Sequence, residues 1–165
     1  MQASMEATIR RADPAAAATT PAAGIEAALA QWHAFVAGGD AARLDALLAD
    51  DVVFYSPVVH RPLAGRAITA HYLRAAFAVF GAPGFRYVRQ VVGERDAVLE
   101  FEVELDGVHV NGVDLLRVDD AGRVIEFKVM LRPLKAVNLI HAKMGALLQG
   151  QGQAQGQAGG AAPAA

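Results

Sequence analysis

The sequence predicts an α+β fold in which helices cover one face of a curved, mainly antiparallel sheet. Apolar residues recur at helical spacing between positions 25 and 80, and they then alternate with polar residues at a period of two between positions 85 and 132. The chain has 165 residues, of which 54% are hydrophobic, and this is enough for one core of ordinary size. We therefore predict a single folded domain over residues 25–148.

The first half of this domain is predicted to contain three helices and one strand. The first helix begins near Ile25 and ends at Gly38-Gly39, and Asp40 can cap a second helix that Asp50-Asp51 closes. Residues 52–56 are β-branched and aromatic, as in a strand, and Pro57 stops them. Residues 67–80 carry the broad apolar stripe of a third helix.

The second half is predicted to be a meander of long strands. One strand begins near Phe85, and three more span residues 97–105, 108–118 and 123–132. Asp106-Gly107 is a strong signal for a two-residue hairpin turn. Pro133 ends the last strand, and residues 135–148 are predicted to form a short terminal helix.

The two ends of the chain differ from the domain in composition. Residues 1–24 are rich in Ala, Thr and Pro, and residues 149–165 contain only Gln, Gly, Ala and Pro, which bury too little apolar surface to offset the entropy lost on ordering. We predict two disordered arms.

Composition also bounds the partners and the location. No window approaches the roughly 20 apolar residues of a membrane span, and a net charge of −2 provides no basic surface for nucleic acid. The absence of cysteine excludes disulfides and thiolate metal sites. We expect a cytoplasmic protein with neither a membrane nor a nucleic-acid partner.

Four short segments, taken in order, resemble one known fold. They are 37–40 (AGGD), 47–52 (LLADDV), 62–66 (PLAGR) and 112–126 (GVDLLRVDDAGRVIE). The sequence resembles the nuclear transport factor 2-like, or cystatin-like, superfamily and, within it, the SnoaL-like group related to polyketide cyclases and ketosteroid isomerases. The resemblance implies a cone-shaped mixed sheet with helices packed on its concave face around a pocket. The reaction stays open, because this fold hosts isomerases, cyclases, dehydratases, epoxide hydrolases and pure binding modules.

The resemblance also places the catalytic positions of the related enzymes. The carboxylate base of ketosteroid isomerase falls at Ser56, its phenol donor at Trp32, and its protonated carboxyl at Asp114, a role for which that enzyme is the standard example. The acid–base aspartate of polyketide cyclases falls near Val129, and their histidine falls at Asp114. Both bases are therefore replaced here, and whether the chain is an enzyme stays open.

Asp114 is the main candidate site residue. Alternation places it on the same strand face as Val110 and Leu116, which should look into the pocket. A carboxylate in apolar surroundings is costly unless it is paired or protonated, so Asp114 is either a pocket acid and ligand anchor or a structural carboxylate satisfied by Trp32, Ser56 or an arginine.

His60, on the loop after the first strand, could replace the missing base, although a solvated loop residue is the simpler interpretation. Five scattered histidines without helical pairing make a metal site improbable, and we expect no cofactor. The predicted pocket lining comprises Trp32, Phe54, Ser56, Tyr72, Phe101, Val110 and Val129.

The opposite sheet face mixes charged residues with Val98, Val113, Leu115 and Met130. A half-apolar outer face favours a two-fold homodimer. We predict binding of a small, mostly apolar, carbonyl-bearing molecule, with acid–base chemistry of isomerase, cyclase or lyase type centred on Asp114. The alternative is a non-enzymatic dimerising or accessory module whose cavity is filled by its own side chains.

Overall fold

The computed structural model describes residues 23–81 and 83–157, so most of the predicted N-terminal arm and residues 158–165 of the predicted tail lie outside the described residues. The described chain forms four helices and six strands. In chain order these are α1 (Ala23–Gly38), α2 (Ala41–Leu47), β1 (Leu48–Tyr55), β2 (Leu63–Ala64), α3 (Arg66–Phe80), β3 (Arg86–Val92), β4 (Asp96–Leu105), β5 (Val108–Val118), β6 (Val124–Arg132) and α4 (Leu134–Gln157).

A capping side chain and a glycine explain where α2 begins and where α1 ends. Asp40 caps α2 through its Oδ1, which accepts hydrogen bonds from the backbone N–H groups of Ala42 and Arg43 at 3.0 and 3.4 Å. Gly39, with a φ of +70°, ends α1, and a Cβ there would lie 2.7 Å from the ring of Phe77. The turn therefore needs glycine both for its backbone conformation and for its contact with α3. None of the described helices has an apolar stretch long enough to cross a bilayer.

The six strands form one curved sheet in the order β2-β1-β6-β5-β4-β3. All neighbouring pairs are antiparallel except β1 and β6, which run parallel. The predicted α+β class and the long meander are thus confirmed. Asp106-Gly107 forms the predicted hairpin turn between β4 and β5, with φ of +50° and +72° at its two residues.

Several boundaries differ from the sequence expectation. The second helix stops at Leu47, and β1 already begins at Leu48 rather than at Val52, because the early part of β1 pairs with β6 through Leu48 and Val124. The two-residue strand β2 has no counterpart in the sequence prediction. The terminal helix continues to Gln157, nine residues past the expected domain end at Leu148.

The core consists of two apolar clusters. The larger one joins α1, α2 and the first half of α3 to the sheet and includes Phe35, Leu44 and Phe127. The smaller one joins the second half of α3 and α4 to the ends of β4 and β5 that meet at their hairpin. Tyr72, Tyr87 and Val129 pack against both clusters. The candidate cavity lies at this junction, since Tyr87 and Val129 also line it.

Candidate functional site

A cavity of about 390 Å³ lies between the helices and the concave sheet face. Buried Trp32, Phe101, Asp114 and Phe127 form part of its wall, whereas exposed Ala37 and Gly81 lie on its rim. The remaining lining residues are His33, Phe35, Val36, Leu73, Ala76, Phe77, Phe80, Phe85, Arg86, Tyr87 and Val129. The cavity is therefore lined mainly by apolar residues.

Asp114 is buried on this wall as the alternation of β5 predicts, with 6% of its surface exposed. Its neighbours on the adjacent strands are Leu99 of β4 and Val129 of β6, which surround the carboxyl with apolar groups. No arginine or lysine is paired with it among the described residues. Its partner is Tyr87 of β3, whose hydroxyl donates to Oδ2 at 2.8 Å.

Tyr87 connects Asp114 to the first helix. The indole N–H of Trp32 donates to the Tyr87 hydroxyl oxygen at 2.8 Å, so the hydroxyl accepts one hydrogen bond and donates another. Trp32 is fixed in turn by aromatic contacts with Phe35 and Phe127, at centroid distances of 5.5 and 4.7 Å. The Trp32–Tyr87–Asp114 chain is therefore a continuous hydrogen-bonded strip in an apolar wall.

Burial sets the protonation of this strip. It raises the pKa of Asp114 from 3.8 to about 7, while the hydrogen bond from Tyr87 acts in the opposite direction. Burial, together with the nearby charge of Asp114, also raises the pKa of Tyr87 well above its usual value, so the phenol stays protonated. Near neutral pH the protonated form of Asp114 is therefore populated beside the ionised form, and its Oδ1 is not engaged by Tyr87.

A β-bulge positions the next polar group along β3. Tyr87 and Arg89 pair with Phe101 and Glu100, which are consecutive residues, so Val88 is the extra residue of a bulge. Beyond it Gln90 pairs with buried Leu99 and shares its inward face. Strict alternation from Tyr87 would have turned Gln90 outward.

Gln90 is exposed and contacts His33, which does line the cavity. Its Oε1 lies 3.1 Å from Nε2 of His33, and the His33 ring stands edge-on to the Tyr87 ring at a centroid distance of 5.2 Å. His33 lines the cavity and is half-buried. One tyrosine therefore contacts the histidine ring with its own ring and Asp114 with its hydroxyl.

Gly112 makes room for the aromatic wall beside Asp114. It pairs with Phe101 across β4 and β5, and a Cβ on it would lie 2.2 Å from Cζ of Phe101 and 2.7 Å from Cδ2 of Leu131. Only glycine leaves the Phe101 ring its place over β5. The ring packs on Phe80 and Phe85 at centroid distances of 5.5 and 5.3 Å.

Arg86 contributes no charge to the cavity, although it is among the lining residues. Its Nη2 donates to Oε2 of Glu102 at 2.6 Å, and Glu102 alternates with buried Phe101 and Val103 along β4. The guanidinium therefore lies on the outer face of the sheet. The polar groups of the cavity wall are those of Trp32, His33, Tyr87 and Asp114.

The residues predicted from the sequence fall into three places. Asp114, Trp32, Phe101 and Val129 line the cavity. Phe54, Tyr72 and Val110 do not; Phe54 and Val110 are buried in the core, and Tyr72 is half-buried against Phe54 at a centroid distance of 5.9 Å. Ser56 and His60 line a second, more open recess of about 420 Å³, together with Val129 and Lys128.

His60, which could replace the missing base, lies apart from Asp114. Its side chain is exposed, and it does not line the cavity that contains Asp114. Ser56 likewise makes no hydrogen bond with Asp114; its Oγ accepts a hydrogen bond from the backbone N–H of Val58 at 3.3 Å. Residues 56–60 line the second recess and not the first, and Val129 lines both.

Sequence reasoning missed Tyr87, Gln90 and His33 as site residues. Tyr87 could have been found, because Phe85 and Tyr87 alternate with charged Arg86 and so share an inward face. Gln90 could not, since its inward position depends on the bulge. His33 follows Trp32 on a helix, and helical spacing alone did not separate the pocket side of that helix from its solvent side.

The chain is similar to a known domain family and to an enzyme of solved structure. A model of the SnoaL-like domain matches residues 7–127. A steroid delta-isomerase from Pseudomonas aeruginosa is 35% identical with a TM-score of 0.76, and the match covers 81% of this chain and 97% of that one. No curated protein matches the chain.

Two further solved structures are similar. A bacterial protein with a cystatin-like fold from Silicibacter pomeroyi is 32% identical with a TM-score of 0.71, over 77% of this chain and 89% of that one. The epoxide hydrolase/cyclase-like enzyme SalBIII is 14% identical with a TM-score of 0.53, over 65% and 89% of the two chains, which is a likeness of fold alone. The expected superfamily is confirmed.

Proposed function

The chain belongs to the SnoaL-like domain family, and on that premise we propose that it binds a small, mostly apolar, carbonyl-bearing molecule in the cavity that reaches Asp114. One observation carries the proposal: an open cavity of about 390 Å³ has an apolar wall with a buried carboxyl set in it. Pockets that hold small ligands typically measure roughly 300–1,000 Å³ and combine an apolar lining with few polar groups.

The protonation of Asp114 favours a carbonyl group as the ligand's polar end. A carbonyl oxygen accepts hydrogen bonds and donates none, so it needs a donor on the wall. The Tyr87 hydroxyl already donates to Oδ2 of Asp114, and the Trp32 N–H already donates to Tyr87. Protonated Asp114 supplies the remaining donor, an O–H at Oδ1, while its Oδ2 continues to accept from Tyr87.

The same arrangement suits acid–base chemistry. A carboxylic acid that stays partly protonated near pH 7 can stabilise the negative charge that develops on a carbonyl oxygen when a neighbouring carbon loses a proton. The likeness to a steroid delta-isomerase supports fused-ring ketones as the first class of ligand to test. Double-bond isomerisation, aldol-type cyclisation and elimination beside a carbonyl share this oxyanion when they begin with loss of that proton.

A matched pair of ligands tests the binding proposal. We expect the protein to bind 2-tetralone, a fused-ring ketone, about tenfold more tightly than tetralin, the same skeleton without oxygen, because one hydrogen bond distinguishes them. The double variant Asp114→Val/Tyr87→Phe should lose this preference in isothermal titration calorimetry. Ser56→Ala, in the second recess, is the control and should keep it. A preference lost only in Ser56→Ala would place the ligand in the second recess rather than beside Asp114. If the unmodified protein shows no preference for 2-tetralone, Asp114 does not bind a carbonyl oxygen.

A homodimer through the outer sheet face is a second proposal, and a contiguous apolar patch supports it. Val91, Val98 and Leu115 pair in a row across β3, β4 and β5, and Val113 pairs with Met130 of β6. Val91 and Met130 are 58% and 55% exposed, which is unusual for large apolar side chains on a sheet. Ion pairs surround the patch, among them Arg89–Glu100 and Lys128–Glu126 at 3.3 and 3.2 Å. A second copy related by a two-fold axis would cover the patch and leave these charges at the rim.

A further inference from the structure

The second recess, between the loop of residues 56–60 and strand β6, has no part in the ligand binding proposed above. It measures about 420 Å³ and is bounded on one side by the end of β1. None of the described residues that line it is an aspartate or a glutamate. Its lining combines apolar side chains with groups that can donate hydrogen bonds, namely Val58, Val59 and Met130 with Ser56, His60 and Lys128.

Lys128 supplies the positive charge of this recess. Its Nζ lies 4.5 Å from the centre of the Tyr55 ring and 3.2 Å from Oε1 of Glu126, so the ammonium group contacts both a ring face and a carboxylate. Lys128 lines the recess, whereas Glu126 does not. An ammonium group has three N–H donors, and the contact with Glu126 uses one of them. The lysine therefore keeps donors for a ligand in the recess.

The loop of residues 56–60 adds neutral donors to this charge. The Ser56 Oγ accepts a hydrogen bond from the backbone N–H of Val58 at 3.3 Å, which leaves the hydroxyl hydrogen free to donate. The backbone N–H groups of Val59 and His60 donate to no oxygen of the described residues. The recess thus brings together one cation and several unused donors.

We infer that the second recess binds a small organic monocarboxylate, whose carboxylate contacts Lys128 and Ser56. A carboxylate only accepts hydrogen bonds, so it matches a wall that offers donors and no acid. The apolar body of the ligand packs against Val58, Val59 and Met130, which line the same recess. This site needs no ligand in the cavity of Asp114.

The charge and the size of the recess restrict the ligand. Because Glu126 already neutralises part of the charge of Lys128, a single negative charge is favoured over the dianion of a phosphate ester. A volume of about 420 Å³ lies within the range of small-ligand pockets, roughly 300–1,000 Å³. The recess borders the outer-face patch at Met130, so the site lies at the rim of the proposed dimer interface.

Two probes of the same shape test the site. Benzoate carries the carboxylate, and benzamide is its neutral counterpart. In a titration of the full chain followed by ¹H–¹⁵N NMR, benzoate should bind about tenfold more tightly than benzamide, because a hydrogen bond to a charged group distinguishes them. The backbone amide signals of Val59, His60 and Met130 should shift. The indole N–H signal of Trp32, which lines the other cavity, should not.

Two substitutions in one ion pair should change benzoate binding in opposite directions. Lys128→Met removes the cation and should weaken binding about tenfold. Glu126→Gln removes the competing carboxylate and should strengthen binding about threefold, as expected for a partly exposed ion pair. Lys135→Met, at an exposed position of α4 that does not line the recess, is the matched control and should bind benzoate as the unmodified protein does.

Weaker binding in Lys128→Met together with tighter binding in Glu126→Gln supports the monocarboxylate site. Equal binding of benzoate and benzamide, unchanged binding in Lys128→Met, or no binding of benzoate at all would overturn it. A shift of the Trp32 signal without shifts in the loop would place benzoate in the cavity of Asp114 and would also overturn it. Tighter binding of inorganic phosphate than of benzoate would refute the proposed class of ligand.

Discussion

Replacing Asp114 with asparagine should remove a pH-dependent cost of folding that the buried acid imposes. In the unfolded chain an aspartate titrates near 3.8, and burial raises the pKa of Asp114 to about 7 in the folded protein. Between these values the folded state binds the proton that the unfolded state has released, so stability falls as pH rises. About three pKa units at about 1.4 kcal/mol each give a loss of about 4 kcal/mol between pH 4 and pH 8, of which roughly 3 kcal/mol falls above pH 5.

The side-chain amide in Asp114→Asn keeps an oxygen that accepts from the Tyr87 hydroxyl, but it has no proton to lose in this range. Position 114 therefore no longer contributes to the pH dependence of the unfolding free energy. The measurement is urea unfolding at pH 5, 6, 7 and 8, followed by the fluorescence of Trp32, the single tryptophan of the chain, and by far-ultraviolet circular dichroism. The unfolding free energy of the unmodified protein minus that of Asp114→Asn should fall by roughly 3 kcal/mol across this range.

A second aspartate provides a control of opposite sign. A hydrogen bond from the Arg123 backbone N–H, among other contacts, holds the pKa of Asp119 below its usual value, so stability from Asp119 is present above pH 4 and lost only at lower pH. Asp119→Asn should therefore give a constant difference between pH 5 and pH 8. Parallel pH curves for Asp114→Asn and the unmodified protein would show that Asp114 does not titrate in this range, and the reasoning about its O–H donor would be wrong.

Two further predictions concern the glycine beside Phe101 and the outer face of the sheet. Gly112→Ala should destabilise the protein by about 2 kcal/mol in urea unfolding, because the added Cβ would displace the Phe101 ring. Gly145→Ala, on α4 with no atom within 4 Å of the added Cβ, is the control and should stabilise the protein by about 0.5–1 kcal/mol. Equal effects of the two substitutions would contradict the close approach of Phe101 to Gly112. Met130→Glu should convert the proposed dimer to monomers in sedimentation velocity, because it places a charge in the apolar patch. Leu134→Glu, at a 73% exposed position outside the patch, is the control and should leave the dimer intact. Dissociation by both substitutions, or an unmodified protein that is monomeric, would refute the outer-face interface.

The sequence predicts those features that depend on neighbours along the chain. Alternation along β5 is sufficient to place Asp114 inside, and the Asp106-Gly107 turn sets the register of β4 against β5 from Leu105↔Val108 onward. The boundary between α2 and β1 depends instead on pairing with β6, about 75 residues away, which overrides the helical pattern through Leu48. Local patterning cannot contain that information.

The candidate site was predictable to a smaller extent, since its contacts join distant segments. Tyr87 and Asp114 are 27 residues apart, and Trp32 and Tyr87 are 55 apart. Asp114 was expected to have Trp32, Ser56 or an arginine as its partner, and the tyrosine takes that place because β3 and β5 both flank β4. The pairing of His33 with Gln90 depends on a single extra residue in β3, which leaves no mark on hydrophobic periodicity.

The arrangement around Tyr87 explains why a buried acid without a positive partner can persist in this fold. Such a partner would stabilise ionised Asp114 but would also lower its pKa and remove the O–H donor. A tyrosine hydroxyl satisfies one carboxyl oxygen without adding charge, and the Trp32 N–H orients that hydroxyl toward the acid. The cost that remains, about 4 kcal/mol for the ionised form, is tolerable because both apolar clusters meet at Tyr87 and hold it in place. The same tyrosine thus satisfies the acid with its hydroxyl, places no positive charge beside it, and contacts the His33 ring with its own ring.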